Sequence, residues 1–328
     1  MKTDRRRAAI LVAALALLLV VAGVSVSVGA QAIAPAEVWR AFTAYAGTGE
    51  HQIVRGIRVP RTVLGIFVGA ALGTAGTLVQ TLTRNPLAEP GILGVTAGAG
   101  FAITVGAVLG LAGSPAGQLG LAFAGAVLAS VAVYAVGSTS PLRLVLTGVA
   151  LSSVLAGVSL GMRLMLPDVF DTFRFWSVGA LAGHEQQPQT LALWTIAVAL
   201  ACSVAITRPL NAMVLGDDVA RALGGHLART RFGVLVLVTL LAGAATAAAG
   251  PIAFLGLMVP HLGRRAAGAS IPWLMAYTML LGPILLLVSD IAARVLLPTG
   301  EVPVAVVTAF LGAPVLIWAV RRRGAVRS

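Results

Sequence analysis

Few residues could carry chemistry inside the apolar segments of this 328-residue chain. Asp290 is the acidic residue that lies well inside a predicted membrane span, and Arg294 follows it four positions later. On a helix this spacing puts both side chains on one face, where they can form an ion pair. Acidic groups at mid-membrane also couple proton or sodium flow in secondary transporters. We interpret the two residues as a structural ion pair, with a proton relay as the alternative.

Other reactive patterns are missing from the sequence. The only lysine is Lys2, so the chain has no GxxxxGK(S/T) loop for a nucleotide phosphate. His184 and Glu185 lack the second histidine of a zinc-binding HExxH helix, the four histidines are scattered, and there is no GxSxG elbow. We therefore predict no catalytic residue, no metal site and no cofactor, and an intramembrane enzyme is disfavoured. If ATP drives a process here, another chain must bind it.

The elements that position these residues are apolar helices. The chain is 58% hydrophobic and 10% charged, whereas a soluble domain has about 25% charged residues. Residues 92–142 contain no charged side chain at all, and each membrane helix needs about 20 apolar residues. The net charge of +12 comes from basic residues at the ends of apolar segments. That placement sets membrane orientation and does not indicate nucleic-acid binding.

Ten spans are predicted along the chain, and they form an all-α polytopic membrane protein. An even number of spans puts both basic termini on one side, which the positive-inside rule assigns to the cytoplasm. No second domain is predicted, so residues 1–328 form a single transmembrane domain. A cleaved signal peptide is the alternative for the first span. The spans cover residues 8–28, 62–83, 92–112, 118–136, 144–166, 190–207, 232–249, 252–262 (short and bent), 272–296 and 304–320.

Glycines at four-residue spacing mark one face of the second span. Gly65, Gly69 and Gly73 lie on the same side of a helix, where a second backbone can approach closely. We predict a tight helix–helix contact along this face. The alternative is that glycine is simply common in membrane helices.

Six short motifs follow one another along the chain. The most specific of them is NPLAEPG at residues 85–91. The other motifs are RVPR at 58–61, GPIAFLGLMVPH at 250–261, DIAAR at 290–294, EVP at 301–303 and GAPV at 312–315. Together, and in this order, they closely resemble the FecCD-type permeases, the family of the vitamin B12 importer subunit, and the resemblance covers nearly the whole chain.

The resemblance implies an importer permease in the cytoplasmic (inner) membrane. In such a complex, two permease subunits form a homodimer or a close heterodimer around an axial pathway. ATP-binding-cassette (ABC) ATPase subunits lie below it, and an extracytoplasmic substrate-binding protein lies above. ATP hydrolysis then belongs to a separate subunit, so this chain is not itself an enzyme. An iron(III)–siderophore is the expected cargo, haem and cobalamin permeases are similar, and a secondary ion-coupled transporter is the alternative function.

Three arginines are expected on the outer side. Arg58, Arg61 and Arg294 match positions that the family uses for docking the binding protein. Arginine suits this role because it can bind a carboxylate through two hydrogen bonds. The alternative is that Arg294 merely neutralises Asp290.

The loop at residues 208–231 is expected to contact the ATPase. It combines charged residues with apolar side chains that a solvated loop would not need, and it resembles the coupling helices of the family. A plain connector is the alternative. The expected coupling residues are Leu215, Gly216, Asp217, Asp218, Arg221, Leu223 and Gly224.

Two turns on the cytoplasmic side resemble the family's inner gate. Asn85 and Leu87 follow the second span, and Pro141 and Leu142 follow the fourth. Pro141 and Leu142 differ from the small polar gate residues of the family. Ordinary turn chemistry is the alternative for both, since Asn-Pro commonly starts a turn.

Overall fold

The computed structural model describes residues 2–29, 31–137, 140–183, 189–214, 216, 221–222, 226–297 and 300–324. We call the two ends of the bundle outer and inner, after the orientation predicted from the basic residues. A π-helical turn (Val54–Arg58) and a 3₁₀ turn (Pro90–Leu93) interrupt the α-helices. The α-helices are α1 (Lys2–Ser27), α2 (Pro35–Thr43), α3 (Gly49–Ile53), α4 (Val59–Leu82), α5 (Val95–Val108), α6 (Pro115–Gly137), α7 (Pro141–Met165), α8 (Pro167–Ser177), α9 (Thr190–Val214), α10 (Leu227–Ala249), α11 (Leu255–Ala267), α12 (Ile271–Val295) and α13 (Val304–Gly324).

The membrane-crossing elements match the predicted segments. Within the described ranges, seven helices are long and apolar enough to cross a membrane, and Val95–Val108 and Val304–Val315 are apolar but shorter. The remaining segment is α11, which has 13 residues with Pro260 inside. At 1.5 Å per residue, α11 is about 20 Å long and cannot cross a hydrocarbon core of about 30 Å alone. The predictions of an all-α polytopic fold with about ten membrane helices and of a short eighth segment are confirmed.

Helix α4 lies at the centre of the bundle and packs against α10, α11 and α12. Its glycine face makes the close contact predicted from the sequence. A Cβ added at Gly69 would lie 2.6 Å from Pro283 Cα, and one at Gly73 would lie 2.7 Å from the Thr278 carbonyl oxygen. The predicted tight seam is therefore confirmed, and α12 is its partner. Further along α4, Gly76 meets the backbone of Gly256 at the start of α11.

Helix α5 is shorter than the predicted span over residues 92–112. The chain first forms the 3₁₀ turn, and Gly94 then adopts a left-handed conformation with φ of 78°. This geometry favours glycine and separates the turn from α5. At the other end, Gly110 has φ of 71° and follows the last turn of the helix. An uninterrupted apolar run is therefore divided by its glycines.

Two predicted loop boundaries also differ from the structure. Helix α9 continues through Pro209 to Val214, and α10 already begins at Leu227. The predicted loop at residues 208–231 is consequently shorter at both ends. Leu210 and Met213 are buried, so their apolar side chains extend the helical packing beyond Arg208.

Candidate functional site

The outer ends of α1, α4 and α12 meet around a buried carboxylate. Asp290 is fully buried on α12, and Arg61 on α4 donates to it through Nη2 at 2.7 Å and through Nε at 3.1 and 3.2 Å. Arg294, one helical turn after Asp290, forms an ion pair with the same carboxylate. The predicted pairing of Asp290 with Arg294 is confirmed. A buried charge is costly unless it is paired and hydrogen-bonded, and Asp290 satisfies that requirement twice over.

A second acid balances the extra positive charge of this group, which we call the outer ion cluster (Arg61, Asp290, Arg294 and Glu301). Glu301 precedes α13 and accepts from Arg61 Nη1 at 2.7 Å. Its side chain is 30% exposed, so it is the solvent-facing member of the cluster. Two arginines and two acids give no net charge. Arg294 also donates to the carbonyl oxygens of Ser25 and Val28, which ties the end of α1 to α12.

Arg58 lies beside the cluster but bonds only to backbone groups among the contacts that the structure gives. Its guanidinium donates to the carbonyl oxygens of Val26, Ser27 and Gln31, where the chain leaves α1. The three arginines predicted for docking are thus brought together at one end of the bundle. Their exposed fractions are only 4% for Arg58, 6% for Arg61 and 4% for Arg294. The structure places them just beneath the outer surface, each bound to groups of this chain.

The two predicted gate turns both lie at the inner end of the bundle. Asn85 accepts from the backbone N–H of Leu87 at 2.9 Å and closes a turn, and the Leu87 side chain is exposed. Leu142 is likewise exposed in the first turn of α7. The Pro141 backbone begins α7, and its side chain lies outside the described atoms. A cavity of about 240 Å³ lies between the end of α4 and the start of α7, next to the two turns, and its lining includes Leu82, Thr83, Ser140 and Leu144.

Only part of the predicted coupling region falls on described residues. Gly216 has φ of 115°, a conformation that glycine adopts without strain, and Arg221 is helical. The other five predicted coupling residues lie outside the described ranges, namely Leu215, Asp217, Asp218, Leu223 and Gly224.

The start of the coupling region is attached to the gate turn. Arg84 donates to the Met213 carbonyl oxygen at 3.1 Å, which joins the end of α4 to the end of α9. A cavity of about 370 Å³ lies at the same place, and its lining includes Arg84, Pro86, Val214 and Arg264. Four parts of the chain therefore converge there: the ends of α4, α9 and α11 and the segment that leads to the gate turn.

One contact was not predicted from the sequence, although its residues lie in the NPLAEPG and GPIAFLGLMVPH motifs. Glu89 Oε1 accepts from the backbone N–H of Phe254 at 2.8 Å. Phe254 precedes α11 and has φ of 66°, a left-handed conformation that is rare for a bulky residue. The motif signalled a turn, but nothing in the local sequence indicates that its carboxylate reaches a helix start 165 residues away.

No group of three or more histidine, cysteine, aspartate or glutamate side chains suited to a metal ion occurs in the parts of the chain that the structure describes. The outer ion cluster and the inner contacts instead hold helices together. Such an arrangement can position helices and transmit their movement.

Comparison with known proteins decides the family. The profile of the FecCD transport family matches residues 16–322. The chain belongs to the FecCD transport family. The resemblance expected from its motifs is confirmed, and this FecCD-family chain is a multi-pass membrane protein of a transport family.

Individual relatives match over nearly their whole length. The chain is 47% identical over 321 residues to the ferric enterobactin transport system permease protein FepD of Escherichia coli (strain K12), covering 96% of each chain. It is 34% identical over 325 residues to the hemin transport system permease protein HmuU of Yersinia pestis, again covering 96% of each. A solved inward-facing structure of the metal-chelate ABC transporter type has a TM-score of 0.82 with 27% identity, covering 96% of this chain and 99% of that one.

Proposed function

We propose that this FecCD-family chain is the permease subunit of an ABC importer that carries an iron(III)–siderophore across the inner membrane. The observation that supports this function best is the 47% identity to a ferric enterobactin permease over 96% of both chains. The sequence contains no GxxxxGK(S/T) phosphate-binding loop, so we assign ATP hydrolysis to a separate ABC ATPase.

The partners follow from this assignment. An extracytoplasmic binding protein delivers the cargo, two ATPase subunits bind at the inner end, and a second permease subunit, either identical or closely related, completes the pathway. Both termini lie in the cytoplasm, since the N-terminal and C-terminal segments are strongly basic. Reporter fusions at each terminus would test the orientation, and an extracytoplasmic signal from either would contradict it.

We propose that the binding protein docks at Arg58, Arg61 and Arg294. Because these side chains are buried and already bound, docking requires an exchange of ion-pair partners. Arg61 already holds Asp290 and Glu301. A carboxylate of the binding protein would therefore replace Glu301 on Arg61, because Glu301 is the exposed member of the outer ion cluster. Arg58 and Arg294 would hold the end of α1 in place during this exchange.

At the inner end, we propose that the region from Leu215 to Gly224 contacts the ATPase and that the turns with Asn85, Leu87, Pro141 and Leu142 form the gate. Two findings support this arrangement. Residues next to the two turns, Thr83 and Ser140, line one cavity, and Arg84, beside the first turn, is bonded to the end of α9 at the start of the coupling region.

Reconstitution tests the function directly. The chain is purified with its ATPase and binding protein and placed in liposomes, and uptake of radiolabelled ferric enterobactin is measured. We expect uptake that requires ATP, the ATPase and the binding protein, with none from the permease alone. Haem and cobalamin serve as competing cargoes, and uptake of either in place of the ferric siderophore would reassign the substrate. Uptake driven by an ion gradient without ATP would contradict the proposal and favour a secondary transporter.

A further inference from the structure

The segment between α4 and α5 is held at both ends by contacts with other helices. At its start, Arg84 donates to the Met213 carbonyl oxygen at the end of α9. At its far end, Glu89 accepts from the Phe254 N–H at the start of α11. Asn85 and Leu87, the proposed gate residues, lie between these two contacts. Movement of either helix end is therefore transmitted to the gate turn.

The Glu89 contact is partly buried and lies well away from the inner end of the bundle. Gly256, in the first turn of α11, has both Pro90 Cδ and the Leu72 carbonyl oxygen within 3.2 Å of the position where a Cβ would lie. Leu72 is ten residues before the end of α4, which corresponds to about 15 Å along the helix axis. The chain therefore turns back from the inner end to about mid-span before Glu89 meets α11.

The chemistry of the contact suits this depth. The first N–H groups of a helix have no internal partner and carry partial positive charge, which stabilises a nearby carboxylate. Phe254 provides no side-chain cap for α11, so the Glu89 carboxylate supplies that acceptor from another part of the chain. Phe254 also has a strained backbone, and such strain persists only where the surroundings hold the residue in place.

Helix α11 connects this contact to the inner surface. Its last turn carries Arg264 and Arg265, and Arg264 lines the same cavity as Arg84 and Val214. Gln80 on α4 donates to the Gly256 and Leu257 carbonyl oxygens, which fixes the first turn of α11 against α4. A displacement of the inner end of α11 is thus carried along this short helix of 13 residues to Phe254 and Glu89.

We propose that Glu89 is a positioning residue that couples movement of α11 to the gate turn at Asn85 and Leu87. This inference rests on the proposed importer function and goes beyond it, because it assigns the connection between motor and gate to one intramembrane carboxylate. If the contact is lost, the ATPase subunits still hydrolyse ATP, but the gate turn no longer follows α11.

The test compares Glu89→Ala with Glu89→Gln in the reconstituted complex with its ATPase and binding protein. Uptake of ferric enterobactin and ATP hydrolysis are measured on the same liposomes, per assembled complex. For Glu89→Ala we expect the ratio of cargo transported to ATP hydrolysed to fall by about tenfold, a factor that equals ~1.4 kcal/mol. For Glu89→Gln, which keeps an acceptor oxygen at the same place, we expect at least about half of the wild-type ratio. Asp168→Ala removes an acid near the start of α8 and serves as the control.

The outcomes separate this inference from the importer function. A wild-type ratio in Glu89→Ala overturns the inference, even if less complex assembles, because Glu89 would then be only a structural cap. If Glu89→Ala does not assemble, Glu89→Asp decides. Its shorter side chain keeps the charge and withdraws the acceptor, so a lowered ratio supports the inference and an unchanged ratio overturns it. If the wild-type complex itself gives no ATP-dependent uptake, the importer function fails instead.

Discussion

Two carboxylates, Asp290 (buried) and Glu89 (partly buried), join helices at different depths of the bundle, and they are stabilised by different means. Asp290 at the outer end is neutralised by two arginine side chains from α4 and α12. Glu89, about mid-span, faces a backbone N–H at the start of α11. Removing an ion-pair partner leaves buried charges without a counter-charge, whereas removing a helix cap leaves one backbone N–H without a hydrogen-bond acceptor. We therefore expect the Asp290 contact to resist change and the Glu89 contact to yield more easily, as a contact that moves during transport requires.

The largest effect is expected from Asp290→Ala. It leaves Arg61 and Arg294 buried without their shared counter-charge, which should lower the free energy of unfolding by about 3–5 kcal/mol. Unfolding in mixed detergent–SDS micelles, or the yield of folded chain, measures this loss.

A surface pair provides the matched control for that variant. Asp171 pairs with Arg174 at 3.2 Å, and both side chains are more than half exposed. Asp171→Ala should cost less than about 1 kcal/mol, because water screens the pair. Equal losses for the two variants would contradict the assignment of Asp290 as a buried ion-pair centre.

A smaller loss is expected from Glu89→Ala. The variant removes one acceptor from the start of α11, and caps and hydrogen bonds of this kind contribute about 1–2 kcal/mol. Glu89→Gln should recover most of this stability. Unfolding in the same micelles measures both variants, and a loss for Glu89→Ala as large as that for Asp290→Ala would remove the contrast between the two sites.

The smallest effect on stability is expected from Glu301→Gln. Glu301 is partly exposed and Arg61 keeps Asp290 as a partner, so the free energy of unfolding should fall by less than about 1 kcal/mol. Capture of the binding protein should become tighter, because the internal competitor for Arg61 has lost its charge. Surface plasmon resonance on the intact complex measures capture, and weaker binding would argue against exchange at Arg61.

The sequence predicted contacts within one helix better than contacts between helices. The Asp290–Arg294 pair follows from a four-residue spacing, and the glycine face of α4 follows from another. Arg61 joins the same carboxylate from 229 residues away, a distance along the chain at which no local pattern operates. Only the folded bundle brings that side chain to Asp290.

The boundaries of one helix and the Glu89–Phe254 contact could not be predicted from the sequence, for related reasons. The apolar run over residues 92–112 has the length of a full span, and only the backbone of Gly94 reveals that a 3₁₀ turn occupies its start. Glu89 follows a turn and looks like a solvated acid in sequence. Its role depends on a segment that folds back into the membrane, which hydropathy does not register.

The π-helical turn joins α3 and α4 without a break, so that Gly49–Leu82 forms one continuous helical rod of 34 residues. At 1.5 Å per residue the rod is about 51 Å long, some 20 Å more than the hydrocarbon core is thick. Arg58 and Arg61 therefore belong to the same continuous helix as Gln80, which lies near its other end. A tilt of about 10° around the middle of the rod would displace each tip by about 4 Å, in opposite directions. In such a rigid tilt, a displacement of the outer tip is accompanied by an opposite displacement of the inner tip.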